Sequence, residues 1–206
     1  MKKLLLPLLT LAGAVALLAF WSNGFCTFTV FSDTLHRAGP LPREFPDIPL
    51  RDQDGKAFHL KDQKKFHLVN FVYLNCPEVC HKINNRLEGV YHGMECGLIP
   101  KVLEFVTISF DQKNDSLERI RSYRSQFEPG IAGWTFALPD RVSSKDFEGF
   151  LRQAGVWAKP VPKTGLINHS IYQFLVSPEN RIVAVFDPGR ETDAAILARI
   201  RSCLDG

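Results

Sequence analysis

The stretch "FHLVNFVYL", residues 66–74, places the tightest constraint on the fold. It is a nearly continuous apolar run, rich in aromatic and β-branched side chains and of strand length, which suits the buried middle of a sheet. Directly after it comes "NCPEVCHK". There Pro77 takes the favoured first position of a helix, and Val79, Ile83, Leu87, Val90 and Met94 recur at helical spacing. A central strand therefore runs straight into a helix whose first turn carries Cys76 and Cys80.

The same alternation continues along the chain. "VLEFVTISF" predicts a second strand, and Asp115 with Glu118 starts a second helix that carries Leu117, Ile120, Tyr123 and Phe127 on one face. Residues 134–138 predict a short strand, and Ser143 with Asp146 opens a third helix through Phe147, Phe150 and Leu151. "SIYQFLV" and "RIVAVF" flank "SPEN" as a hairpin, and residues 192–204 form a closing helix. In front of the central strand, Asp54-Gly55 sits between two short strand-like pieces as a further hairpin turn. Strands and helices in this order predict an α/β fold, a three-layer α/β/α sandwich with parallel strands and an antiparallel edge. A helix that begins at the C-terminal end of a central strand puts its first turn where such sheets bind ligands. The chain has no internal repeat.

Composition and charge limit the functional classes. The 206 residues are 45% hydrophobic and 23% charged, as expected of one globular domain. Two of the net three positive charges are Lys2 and Lys3, which leaves no basic footprint for nucleic acid. No charged residue occurs from position 4 to 32, and residues 4–20 are almost wholly apolar. This reads as an export segment, with Trp21 and Phe25 at the level of an interfacial aromatic belt. "FWSNGFC" offers only Ser22 and Gly24 as small residues for a cleavage site, so residues 1–32 are expected to remain as a membrane anchor. The two lysines then stay inside, and the domain lies on the exported face of the membrane. "GPLPREFPDIP" makes residues 33–49 a Pro-rich linker, with the domain spanning 50–206.

Cys76 and Cys80, at i and i+4 on one helical face, are able to form a disulfide, share a metal ion or fill a core. Helix-start N–H groups favour the thiolate, the form that attacks disulfides and binds metals. Three intervening residues suit chelation somewhat better than thiol exchange, and two thiolates select soft metals; an added imidazole extends the site to Cu(II). Of the six histidines, His36, His59 and His67 read as surface or structural, and His92 lies too far along the helix. His81 points about a quarter turn from Cys80 and is placed beside the site rather than in it. His169, in the loop "TGLINHSIYQF", precedes a hairpin strand and comes beside the cysteine turn in a sheet of this kind.

The aromatic strand end, Cys-Pro-Glu-Val-Cys, the "TISFD" strand end and "NHS" before "YQFLVSPENRIV" together resemble the Sco (SenC) copper chaperones of cytochrome c oxidase assembly. The likeness runs from about residue 45 to 203. It implies a thioredoxin-like fold with an N-terminal hairpin behind a membrane segment, with copper held by Cys76, Cys80 and His169. It also places Asp111 near the metal, where it orients copper or a partner; as a plain sequence feature the same residue reads equally as a helix cap or a solvated aspartate. The implied partners are the copper-bearing subunit of the oxidase or another copper chaperone. The implied location is the bacterial periplasm, with the mitochondrial intermembrane space as the alternative. If the pair instead works catalytically, Cys76 and Cys80 are the thiols of an oxidoreductase that reduces the oxidase's copper-ligand cysteines.

Two positions depart from the family pattern: His81 replaces a common proline, and Asn168 replaces a common aspartate before the histidine, which removes a negative charge beside a ligand. In a thioredoxin-like layout the ends of the first and last helices fall on one side of the sheet, so Cys96 and Cys203 are expected to form a structural disulfide in an oxidising compartment. Cys26 has no assigned role.

Overall fold

The computed structural model describes residues 2–76, 79–94, 97–127 and 131–205, with the backbone alone for residues 2–5 and 79–84. Three parallel strands form its middle: β4 (Phe66–Val72), β5 (Leu103–Ser109) and β6 (Trp134–Pro139), with β4 and β5 in register from Phe66↔Leu103 to Val72↔Ser109. On one side β9 (Gln173–Val176) runs antiparallel to β4, followed by β10 (Arg181–Phe186) and the two-residue β1 (Arg43–Glu44). On the other side β6 is followed by the hairpin of β2 (Leu50–Asp52) and β3 (Ala57–Phe58). The sheet order is β1-β10-β9-β4-β5-β6-β2-β3.

Helices cover both faces, because each central strand is apolar on both. One core packs Phe147, Phe150 and Leu151 of α5 (Ser144–Ala154) against Val69, Phe71, Val106 and Phe174. The other packs α3 (Val79–His92), α4 (Leu117–Arg124) and α6 (Asp193–Asp205) against Leu68, Phe105, Trp134 and Phe136. This is the expected three-layer sandwich, and α3 and α6 lie on one side of the sheet as expected. The Asp54-Gly55 turn also forms: Asp52 Oδ1 accepts from the Asp54 and Lys56 N–H groups, and Gly55 adopts φ +87°. Ser143 caps α5, accepting from Asp146 N, and Gly155 ends it at φ +89°.

Three local expectations are corrected. The segment expected as linker, residues 33–49, is built into the domain, and the fold begins before residue 50. Val30–Arg37 forms α2, Arg43 and Glu44 pair with β10, and Phe45 is 2% exposed in the core. Its prolines permit this because an edge strand needs few N–H donors. Asp115 does not cap α4. Ser116 does, accepting from Arg119 N, while Asp115 turns inward. The loop expected around His169 is a small separate ribbon, β7 (Ala158–Pro160) paired with β8 (Ile167–His169). Pro160 and Pro162 hide such short strands from a pattern reading.

α1 (Lys2–Trp21) is a 20-residue helix with exposed apolar side chains along its length, ending in Phe20 and Trp21. Among the described residues no helix is long and apolar enough to cross a membrane; the side chains of residues 2–5 lie outside them. α2 docks on the domain: Phe31 meets Trp157 with ring centroids 5.3 Å apart, and Leu35 packs against the α5 core.

Candidate metal centre

The sheet edge formed by the ends of β4 and β5 carries the candidate residues. β4 runs on through Tyr73 and Leu74 to Cys76, whose N–H donates to Tyr73 O at 3.2 Å. Cys76 is 7% exposed and belongs to the α5-side core with Tyr73 and Phe110. Pro77 and Glu78 lie outside the described residues, as do the side chains of Cys80 and His81; the Cys80 backbone belongs to the first turn of α3. Among the described residues no three His, Cys, Asp or Glu side chains cluster as a metal site.

His169, at the end of β8, is 8% exposed and faces two rings that flank the cysteine turn. Phe110 lies 4.8 Å away and Tyr73 5.7 Å away at 89°. Its Nδ1 is 2.9 Å from the Ser170 carbonyl oxygen, and a carbonyl only accepts, so Nδ1 carries the proton and the ring lone pair is on Nε2. Burial holds the imidazole pKa below its ordinary value, with the Ser170 hydrogen bond opposing. A neutral imidazole in a fixed tautomer is the form that binds a metal. Tyr73 thus links the two described candidates: its carbonyl receives the Cys76 N–H, and its ring contacts His169. A buried thiol and this imidazole match the preferences of copper.

The Ser170 side of the pocket is tied to β7. Ser170 N donates to Trp157 O at 2.8 Å, and Trp157 N donates to Ser170 Oγ at 3.2 Å. Asp111 is buried and caps its own turn, accepting from Asn114 Nδ2 at 2.8 Å and from Asn114 N. Beside it a cleft of about 380 Å³ runs between Asp111, Phe147, Leu151 and Leu166. Asn168 is exposed on β8, paired in register with Lys159.

Several residues at this edge have no motif to mark them. Phe110 and Tyr73 are visible in the sequence only as strand-end aromatics. Asp115 accepts from Leu74 N at 3.1 Å and from Ser109 Oγ at 2.5 Å, and burial raises its carboxyl pKa above the ordinary value, against those two hydrogen bonds. Away from the edge, Cys203 is a half-buried thiol on α6; Cys96, and with it the expected bond between the two, lies outside the described residues. Cys26 is an exposed free thiol.

The sequence profile of the SCO1/SenC family matches residues 43–205, most of the chain. The chain belongs to the SCO1/SenC family. Among its Sco relatives, the mouse protein SCO1 homolog, mitochondrial, is 25% identical over 142 residues, which cover 66% of this chain and 48% of that protein. The chain spans about half the length of several of the curated Sco relatives it matches. The structure of Bradyrhizobium japonicum ScoI with copper bound is 26% identical, with a TM-score of 0.64 over 77% of this chain and 98% of that one. The structure of BsSco, described as a Sco cytochrome c oxidase assembly protein with a disulfide switch, is 19% identical with a TM-score of 0.65 over 81% and 96%, and shows that the fold is shared. The mixed α/β, thioredoxin-like arrangement of this chain is that of the Sco structures.

Proposed function

We propose that this Sco-family chain is a membrane-tethered copper chaperone that carries copper to the copper centre of cytochrome c oxidase during its assembly. The observation that carries the reading is His169. It is buried, neutral and fixed with its lone pair on Nε2, in an aromatic pocket shared with the Cys76 turn. Cys76, Cys80 and His169 supply two soft thiolates and an imidazole, a set able to hold copper in either oxidation state. Copper bound to ScoI of Bradyrhizobium japonicum supports the same cargo here. Delivery proceeds by ligand exchange onto the acceptor's own thiols and imidazoles.

The apolar α1, charged only at Lys2 and Lys3, supports a membrane tether with the domain on the exported side, the periplasm in a bacterium. The spacing of Cys76 and Cys80 in the sequence supports a second reading, a thiol-disulfide oxidoreductase. In that reaction Cys76 and Cys80 close a disulfide while a partner disulfide opens to two thiols, so two electrons and two protons pass to the partner.

One comparison separates the readings. The full chain, solubilised in detergent, is titrated with Cu(I) and Cu(II), following the thiolate-to-copper charge-transfer absorption. His169→Ala is expected to lose most Cu(II) binding and keep disulfide exchange. Wild-type protein that binds neither ion removes the chaperone reading and leaves the oxidoreductase.

A further inference from the structure

We infer that Asp115 and Arg119, at the start of α4, are positioning residues that hold the Cys76 turn in its working conformation. The inference rests on Cys76 being a working thiol, as proposed above, and its geometry is independent of that reading.

Residues 73–76, which follow β4, belong to no strand or helix, so their polar groups need partners from elsewhere. Two come from the start of α4, about forty residues away in sequence. Asp115 Oδ2 accepts the Leu74 N–H at 3.1 Å and the Ser109 hydroxyl at 2.5 Å, which ties the end of β4 to the end of β5. Arg119 then spans three groups. Its Nη2 donates to Asn75 Oδ1 at 2.6 Å, Nη1 donates to the Asn114 carbonyl at 2.8 Å, and Nη1 stands 3.4 Å from Asp115 Oδ1. Leu74 and Asn75 immediately precede Cys76, so Asp115 holds the backbone and Arg119 the Asn75 side chain of the two residues that lead into the thiol.

The arrangement is costly unless it does something specific. The Asp115 side chain is fully buried, and its Oδ1 has no hydrogen bond; the guanidinium of Arg119 is the positive charge beside it. A carboxylate removed from water is retained only where its partners are fixed. The planar fork of arginine holds Asn75 and Asn114 together in a way a lysine ammonium does not. Asn114 is also the residue whose side chain Asp111 grips, so the same cluster connects the Asp111 turn to the Cys76 turn.

The test uses the reduced, metal-free full chain and the alkylation rate of each cysteine by iodoacetamide, resolved by peptide fragmentation. Cys203, half-buried on α6, is the internal control for global opening. Arg119→Ala is expected to speed alkylation of Cys76 about tenfold, equivalent to about 1.4 kcal/mol of local opening, with Cys203 unchanged. Asn75→Ala is expected to do the same, the double variant to add nothing further, and Arg119→Lys to stay fast because it lacks the fork. An unchanged Cys76 rate in Arg119→Ala, or an equal rise at Cys76 and Cys203, overturns the inference. Asp115→Asn is a second probe of the Leu74 anchor, read by the same ratio of rates. Because no metal is present, the alkylation rates report on the positioning pair even in a protein that fails to bind copper.

Discussion

The His169 imidazole lies 4.8 Å, centroid to centroid, from the Phe110 ring at a tilt of 56°, so the residue that follows β5 forms one wall of the histidine's pocket. Phe110 is also tied to the cysteine strand, its N–H donating to Val72 O at 2.9 Å. Phe110→Ala is expected to lower stability by about 3 kcal/mol, through lost burial and the cavity left behind, while Phe110→Leu costs about 1 kcal/mol. Urea unfolding midpoints of the two variants check the order.

A buried polar chain crosses the sheet beneath α3. The Trp134 indole N–H donates to Thr107 Oγ1 at 2.9 Å, and the Thr107 hydroxyl donates to Asn70 Oδ1 at 2.6 Å. Thr107→Val keeps the shape and removes both links. The expected loss is about 1–3 kcal/mol, since the indole N–H is left buried without its acceptor. Denaturant titration followed by tryptophan emission measures it.

His67 sets a pH limit. Burial, aided by the Lys65 charge, pulls its pKa from the ordinary 6.5 down to about 4 in the folded chain. The unfolded chain therefore binds a proton at His67 between those values while the folded chain does not. Its contribution is fully present above pH 6.5 and is lost as pH falls towards 4, by about 3 kcal/mol at the limit. In His67→Gln this part of the acid destabilisation disappears; unfolding midpoints at pH 7 and pH 4.5 give the difference.

The docking of α2 depends on Gly155. A Cβ there would lie 2.9 Å from Leu35 Cδ1 and 3.1 Å from Arg43 Nη2, and the residue already sits at φ +89°. Gly155→Ala is expected to cost at least about 1 kcal/mol from backbone strain and to loosen α2. Amide hydrogen exchange should show residues 30–37 losing protection in Gly155→Ala and in Phe31→Ala, with β4 and β5 unchanged.

The middle of the fold is legible because periodicity there agrees with burial. "FHLVNFVYL" and "VLEFVTISF" are apolar on both sides and become paired central strands, and helical spacing after Cys76 becomes α3. What escapes is short or acts at a distance. β1 has two residues, β7 and β8 three each, and Pro42 and Pro160 lie beside β1 and within β7, so no period accumulates. Asp115 looks like the start of a helix because it precedes one, yet its partner at Leu74 is 41 positions away. At the site, spacing singles out Cys76 and Cys80, while His169 stands out by its place before a hairpin. The aromatic walls of its pocket are indistinguishable in sequence from ordinary core.

The packing of α2 against Trp157 also bears on where the site can travel. If α1 lies in a bilayer, only residues 22–29 separate it from a helix fixed to the domain, and Ser22 O already accepts from Cys26 N and Thr27 N. Even fully extended, that segment reaches about 28 Å. The domain therefore searches a thin shell above the lipid. That gives it a high effective concentration towards acceptors embedded in the same membrane and a low one towards those diffusing beyond it.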